Sequence, residues 1–323
     1  AAGILLLPAT QYPATTWWSK PDLDREYVLS LDVEHYFGNI QKMRKHLETD
    51  RQILWVTYYR NLYNATHPSV SLSRNLLAWN QPGTNGLILP VNPSASFLSI
   101  LFANELWFTL GDMTMAEHCA MLSMIFSPRN SGSRMIKRLA EINLVNGDDE
   151  AALKYLRILD KTLLHKSWAE KRIPGQQTPR VKEWLEKKRR DIPTQDHLRS
   201  GNDAVTSLRN LVASNAGNLR AYEYLLCYHL LSKDLRSFVE DYVPGKVSSS
   251  IFAEALLIHL ARQGNIRAEE LIKYQIPVKI AKEFADYTRL YEAKDTSLKE
   301  KYGKTYWFYY HFATTEPGKE SKP

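Results

Sequence analysis

Three carboxylates in this chain fall at one register. Asp32, Glu105 and Glu141 each stand six residues before a glycine, namely Gly38, Gly111 and Gly147. Two carboxylates across a cleft are the equipment of glycoside cleavage, one kept protonated as general acid and the other acting as base or nucleophile. Carboxylates that line a helix face without such a cleft suit a basic or extended peptide segment, or simply water. His35, Phe108 and Leu144 stand three residues before the same glycines, and Leu101 and Lys137 ten before the second and third. Helical spacing puts all of these on one face of their helices. The candidate peptide groove is therefore Asp32, His35, Leu101, Glu105, Phe108, Lys137, Glu141 and Leu144: an acidic line flanked by apolar and aromatic contacts.

Other chemistry lacks its residues. No His-Glu-x-x-His, Cys-x-x-Cys, EF-hand loop, phosphate-cradling glycine loop or serine-hydrolase elbow occurs. His118 and Cys119 are adjacent, and a helix points neighbours in different directions. Cys119 and Cys227 sit in apolar helical runs, where a free cysteine behaves as a small hydrophobe. No catalytic residue, metal or cofactor is expected. The formal charge is +7, and Lys166 to Arg199 holds much of the excess. Its basic residues alternate with acids, and Lys182, Lys187, Arg189 and Arg190 share a stripe with no aromatic but Trp184. A nucleic-acid module would need such a stripe interleaved with aromatics, so no nucleic-acid partner is expected, and the segment reads as a charged linker or surface insertion.

The elements that position the groove follow from its glycines. Gly111-Asp112-x-x-x-Ala116 recurs as Gly147-Asp148-x-x-x-Ala152, with fainter copies at Gly38-Asn39 and Gly264-Asn265 and a Lys233-Asp234 pair in the same place later on. Glycine enters the left-handed conformation that ends a helix without a Cβ penalty. The following Asp accepts a bond from the first free N–H groups of the next helix. The small Ala lets that helix lie close to its predecessor. A hairpin of two amphipathic helices cannot bury its apolar face alone, so such hairpins stack. Helices are predicted over 94–110 with 112–126, over 132–146 with 148–168, and again from 203 to 293. Residues 1–20 read as an arm, 21–172 as a first helical lobe, 173–202 as the linker, 203–312 as a second lobe closed by an aromatic cap, and 313–323 as a disordered tail. The apolar start, Ile4 to Leu7, is too short to span a bilayer and reads as the end of a membrane segment or as a short arm. The aromatic run Tyr306 to Phe312 reads as a cap over the last hairpin, with docking to a partner or membrane interface as the alternative.

The segment Ala103-Asn104-Glu105-Leu106-Trp107-Phe108-x-x-Gly111-Asp112-x-x-x-Ala116, ending at Pro128, resembles a tetratricopeptide repeat, and the next unit keeps the pattern through Gly147-Asp148 and Ala152. The resemblance implies an all-α superhelix of helix hairpins that binds a protein or peptide. As a whole, through stretches such as Arg134-Met135-Ile136-Lys137-Arg138-Leu139 and Ala221-Tyr222-Glu223-Tyr224-Leu225-Leu226, the chain is also similar to an uncharacterised Bacteroidetes family. There a multi-pass membrane region precedes a soluble helical-repeat region. That likeness implies membrane association through an upstream segment, with the soluble region extracytoplasmic or, alternatively, cytoplasmic. The expected role is a non-catalytic binding scaffold. The alternatives are a glycan-cleaving enzyme on a helical scaffold and, less favoured, a nucleic-acid module.

Overall fold

The structure, a computed structural model, describes residues 20–48, 54–66, 72–79, 83–89, 91, 97–126, 132–193 and 203–313. The N-terminal arm before residue 20 and the tail after 313 lie outside them. All regular structure among the described residues is helical, and the chain has an all-α, helical-hairpin fold. No described helix is long and apolar enough to cross a membrane.

The chain divides into two compact units between Tyr63 and Asn64. The first holds α1 (Lys20–Tyr36), α2 (Ile40–Leu47) and most of α3 (Leu54–Thr66). Val28 and Leu31 of α1, Met43 and Leu47 of α2, and Val56, Tyr59 and Leu62 of α3 are buried. Polar ties join the helices: the Tyr27 hydroxyl donates to the His46 carbonyl, and Arg60 Nε donates to the Leu47 carbonyl at 3.2 Å.

The second unit opens with a 3₁₀ turn (Leu72–Asn75), the single turn α4 (Leu76–Trp79) and another 3₁₀ turn (Gly83–Gly86). The Ser73 N–H is drawn away to Glu223 Oε1 at 3.0 Å, and serine disfavours a helix interior. Then come α5 (Phe97–Leu110), α6 (Met113–Phe126), α7 (Ser133–Asn146) and α8 (Asp149–Asp160), each packed on the next. Ala116 and Ala152 are fully buried where the paired helices approach, and Asn104 of α5 reaches across to donate to the Ala116 carbonyl at 2.5 Å. Two short helices follow, α9 (Lys166–Glu170) and α10 (Pro179–Arg189), and α10 returns to pack on α7.

The rest runs α11 (Ala204–Ser214), α12 (Leu219–Leu231), α13 (Leu235–Asp241), α14 (Ser250–Arg262), α15 (Ala268–Lys273), α16 (Val278–Glu292), α17 (Leu298–Tyr302) and α18 (Tyr306–Phe312). Both α12 and α14 are apolar nearly all round, and most of their side chains are buried, the pattern of helices packed on several sides. Neighbours pair in order from α11 to α14, then α16 and α18 close on α14.

One closing turn serves seven helix ends. Gly38, Gly111, Gly147, Lys233, Gly264, Gln275 and Lys294 all have positive φ. In each case the next residue's N–H bonds the carbonyl five residues back, as in Asp112 to Trp107, Asp148 to Asn143 and Asp234 to His229. That bond defines the Schellman ending, which satisfies carbonyls the helix would otherwise leave open. Asp112, Asp148 and Asp234 then cap the following helix, accepting from the N–H groups of Met115, Ala151 and Ser237, each cap worth about 1 kcal/mol.

Candidate functional site

The groove candidates divide between the two units. Asp32 and His35 belong to the first. The Tyr59 hydroxyl donates to Asp32 Oδ1 at 2.5 Å, and the His35 ring lies 5.9 Å from the Tyr59 ring. The remaining six lie in the second unit, on α5 and α7.

There the two carboxylates are joined to arginines of α7. Glu105 is buried and accepts from Arg134 at 2.8 Å and from Arg138 at 2.6 Å, one oxygen for each. Arg138 also donates to Glu141 at 3.1 Å and to Asn104 Oδ1 at 3.0 Å, and its guanidinium lies 3.8 Å from the centre of the Phe108 ring. Such charge-assisted, stacked contacts suit a planar guanidinium. Of the carboxylates that look like a free acidic line in the sequence, Glu105 is thus held by the neighbouring helix and Glu141 by an arginine of its own helix. Leu144 is fully buried, so its side chain belongs to the core, while Leu101 packs against the cluster of Ala120, Met135 and Leu139.

The Phe108 side of this face is filled by the chain itself. Trp184 of α10 stacks on Phe108 with ring centres 6.3 Å apart, and Lys188 Nζ lies 4.6 Å from the Phe108 centroid and donates to the Phe108 carbonyl at 3.0 Å. Arg189 donates to the carbonyls of Leu144 (2.8 Å) and Val145 (3.0 Å). Cations thus sit at the C-terminal ends of α5 and α7, where open carbonyls and the helix dipole favour positive charge. Burial and the repulsion of Arg138 hold the Lys188 ammonium down to about 8. The segment read as a charged linker or surface insertion forms a strap, and two of its charges, Lys188 and Arg189, are used on backbone carbonyls. Beyond it the Asp191 carbonyl lies so close to Gly111 that a Cβ there would collide with it.

The Glu141 side is different. Lys137 of α7 and Arg172, just past α9, both stand over Trp168, with Lys137 Nζ 5.2 Å and Arg172 Cζ 4.1 Å from the ring centre. All three side chains are half-buried. Trp168 is fixed by the apolar cluster of Ile136, Ala140, Leu156, Leu159 and Ala169. Burial lowers the proton affinity of both Lys137 and Arg172, with Glu141 acting in the opposite direction on each. Sequence reading missed Arg134, Arg138, Trp168 and Arg172. The legible signal was Arg134-x-x-Lys137-Arg138, three cations at i, i+3 and i+4 on one face of the helix that carries Glu141.

Among the described residues no group of three or more His, Cys, Asp or Glu side chains is placed to hold a metal ion. Cys119 and Cys227 are buried, and burial pushes both thiols up, Cys119 to about 12. Burial thus disfavours the thiolate, the nucleophilic form, at both. No curated protein and no solved structure matches this chain. One family does match, over residues 2–313, nearly the whole length, and the chain belongs to it: a family of unknown function, DUF6057.

Proposed function

We propose that this protein is a non-catalytic scaffold that binds a segment of another protein along the face built by α5, α7 and α9. The observation that carries the reading is the chemistry of that face. Glu105 has both oxygens taken by guanidinium donors and Glu141 has one, an arrangement unlike the pair of carboxyls facing each other across a cleft that glycoside cleavage uses. Around them lie half-buried cations and a tryptophan fixed from behind by an apolar cluster. Rigidly seated aromatic and arginine side chains are what protein interfaces use as anchors. The resemblance of 103–128 and its successor to tetratricopeptide hairpins supports the same reading, as does the reuse of one closing turn at seven helix ends. Membrane association belongs to this proposal through the likeness to a family with an upstream multi-pass region; fractionation of the native protein from its host would place it with membranes.

The test is site-directed photocrosslinking in the host. A photoreactive amino acid in place of exposed Lys171, beside Arg172, should give a discrete polypeptide adduct, and the same group at exposed Lys282 on α16 should give none. Absence of an adduct at Lys171 would remove the reading.

A further inference from the structure

The turn that joins α8 to α9 carries Leu163 and Leu164, which are 97% and 86% exposed, more than any other large apolar side chain among the described residues. Single apolar side chains at a surface are ordinary; two neighbours standing almost wholly in water are not. Local bonds fix this turn. The Thr162 hydroxyl donates to the Leu159 carbonyl at 2.7 Å and accepts the His165 N–H at 3.2 Å, and the Lys166 N–H donates to the Thr162 carbonyl at 3.1 Å. A threonine bonded in this way sets the backbone around it, so the leucines are held away from the core rather than folded onto it. Ile136, at the start of α7, shares a cluster with Leu156 and Leu159 of α8, and Met124 of α6 packs against that cluster. The C-terminal ends of α6 and α8 therefore lie side by side, and α6 ends on the exposed Ile125 and Phe126.

Cations surround this apolar end. From Lys154 to Lys171 the exposed charged side chains are Lys154, Arg157, Lys161, Lys166 and Lys171 against one acid, Glu170, with Asp160 half-buried. Lys154, Arg157 and Lys161 follow one another at helical spacing beside the exposed Ile158. Lys154 pairs with Glu150 at 3.3 Å and Lys166 with Glu170 at 4.0 Å, all four side chains largely in water, where such pairs contribute little. We propose that this end of the molecule docks on a bilayer that contains anionic lipid. Leu163 and Leu164 enter the boundary between headgroups and acyl chains, while Arg157, Lys161 and Lys166 meet the lipid phosphates. An apolar tip flanked by cations is the chemistry such a surface takes. A protein partner suits it less. The anchors of a protein interface sit in a packed surround that excludes water, and side chains this exposed have none; a fluid lipid phase requires none. The inference goes beyond the scaffold reading and does not rest on it.

The experiment floats the whole chain with vesicles of phosphatidylcholine alone and of equal parts phosphatidylcholine and phosphatidylglycerol, at low and moderate salt. The protein should partition onto the anionic vesicles, less so as salt rises, and far less onto phosphatidylcholine. Leu163→Ser combined with Leu164→Ser should weaken that partition by about tenfold or more, and Arg157→Gln or Lys161→Gln by about fivefold each. Ile272→Ser, at an exposed apolar residue of α15, should leave it unchanged. Thermal melts check that each variant is folded. As a second readout, Leu164→Cys carrying an environment-sensitive fluorophore should shift its emission to the blue when anionic vesicles are added; Cys119 and Cys227 are buried, which keeps the labelling selective. No partition onto anionic vesicles, or partition that the double leucine variant retains, overturns the proposal. If lipid binding is absent and the chain self-associates through the leucines, the occupant is a second copy. If a photoreactive residue at Leu164 gives a discrete polypeptide adduct in the host, the occupant is a protein. Either result overturns the bilayer. The scaffold test at Lys171 reads polypeptide adducts and this one reads lipid binding, so each reading can fail with the other intact.

Discussion

Where α10 meets α5 and α7, the carbonyls at the helix ends are taken by Lys188 and Arg189. Where α18 meets α12, the same kind of carbonyl is taken by phenols: the Tyr306 hydroxyl donates to Leu230 at 3.0 Å and the Tyr309 hydroxyl to Leu231 at 2.9 Å. The first seam is cationic and half-open. The second is aromatic and sealed, with Tyr306, Trp307 and Tyr309 buried and Trp307 Nε1 donating to the Glu254 carbonyl at 2.9 Å. Closing helix ends with charge leaves a region whose contacts weaken as salt rises. Closing them with aromatic rings ties the chain's last helix into the core.

The largest effect should come from removing the centre of each seam. Trp307→Ala should cost about 3–5 kcal/mol, the usual range for a fully buried large side chain. Trp184→Ala, half-buried beside Phe108, should cost about 1–2 kcal/mol. Urea unfolding of the two variants decides the matter, and equal losses would break the contrast.

A second pair of variants separates the close contact from the turn itself. Gly111→Ala must accommodate both a left-handed backbone and a methyl group driven into the Asp191 carbonyl, whereas Gly147→Ala has the same backbone problem and open space around it. The first should lose roughly 2–5 kcal/mol and the second about 1–2 kcal/mol. If they lose the same amount, the strap does not press on the end of α5 as described.

These two glycines also show how far the sequence carries. The hairpins of α5 to α8 are legible because Gly-Asp marks both their turns and alanine follows at the same offset. The later turns at Lys233, Gln275 and Lys294 use the same backbone; at Lys233 only the following Asp234 marks the turn, and at Gln275 and Lys294 no local residue signals a left-handed position. The candidate site divides in the same way. Glu105 and Glu141 stand out by register, yet what they do depends on Arg134 and Arg138, which helix packing brings to them. The strap was hardest to read. Alternating charges normally mark a solvated face, and only the fold places Lys188 and Arg189 beside open carbonyls. The aromatic run from Tyr306 is read more easily, because so much ring surface needs cover whatever the tertiary details.

Titration should give the two seams slopes of opposite sign. Glu254, beneath α18, accepts the Tyr306 N–H at 2.6 Å, but burial, with the nearby Glu283 charge, raises its carboxyl to about 7. Between the ordinary carboxyl range and 7 the folded protein holds a proton that the unfolded chain has lost, so stability from this group falls as pH rises through that window. Lys188 is depressed to about 8. Between 8 and the ordinary lysine range the unfolded chain holds the extra proton, so stability from this group rises with pH there. Glu254→Gln should flatten the acidic-side fall and leave the alkaline rise; Lys188→Met should do the reverse. Chemical denaturation across pH 4.5 to 10.5 reads both, and a variant that flattens the wrong limb would detach the group from its seam.

The smallest effects test whether the non-glycine turns are merely tolerated or used. Lys294 has a left-handed backbone and an exposed side chain, so Lys294→Gly should relieve strain and stabilise by about 0.5–1 kcal/mol, after the greater freedom that glycine gives the unfolded chain. Lys233 has the same backbone, but its ammonium donates to the Ala313 carbonyl at the end of α18 and lies 5.6 Å and 5.9 Å from the Tyr309 and Tyr310 ring centres. Lys233→Gly gives up those contacts and should destabilise by about 1 kcal/mol despite the same relief of strain. Opposite signs for one substitution at two alike turns would mean that Lys233 is held in an unfavourable conformation because its side chain fastens the last helix. Equal signs would mean that the aromatic seam holds without it.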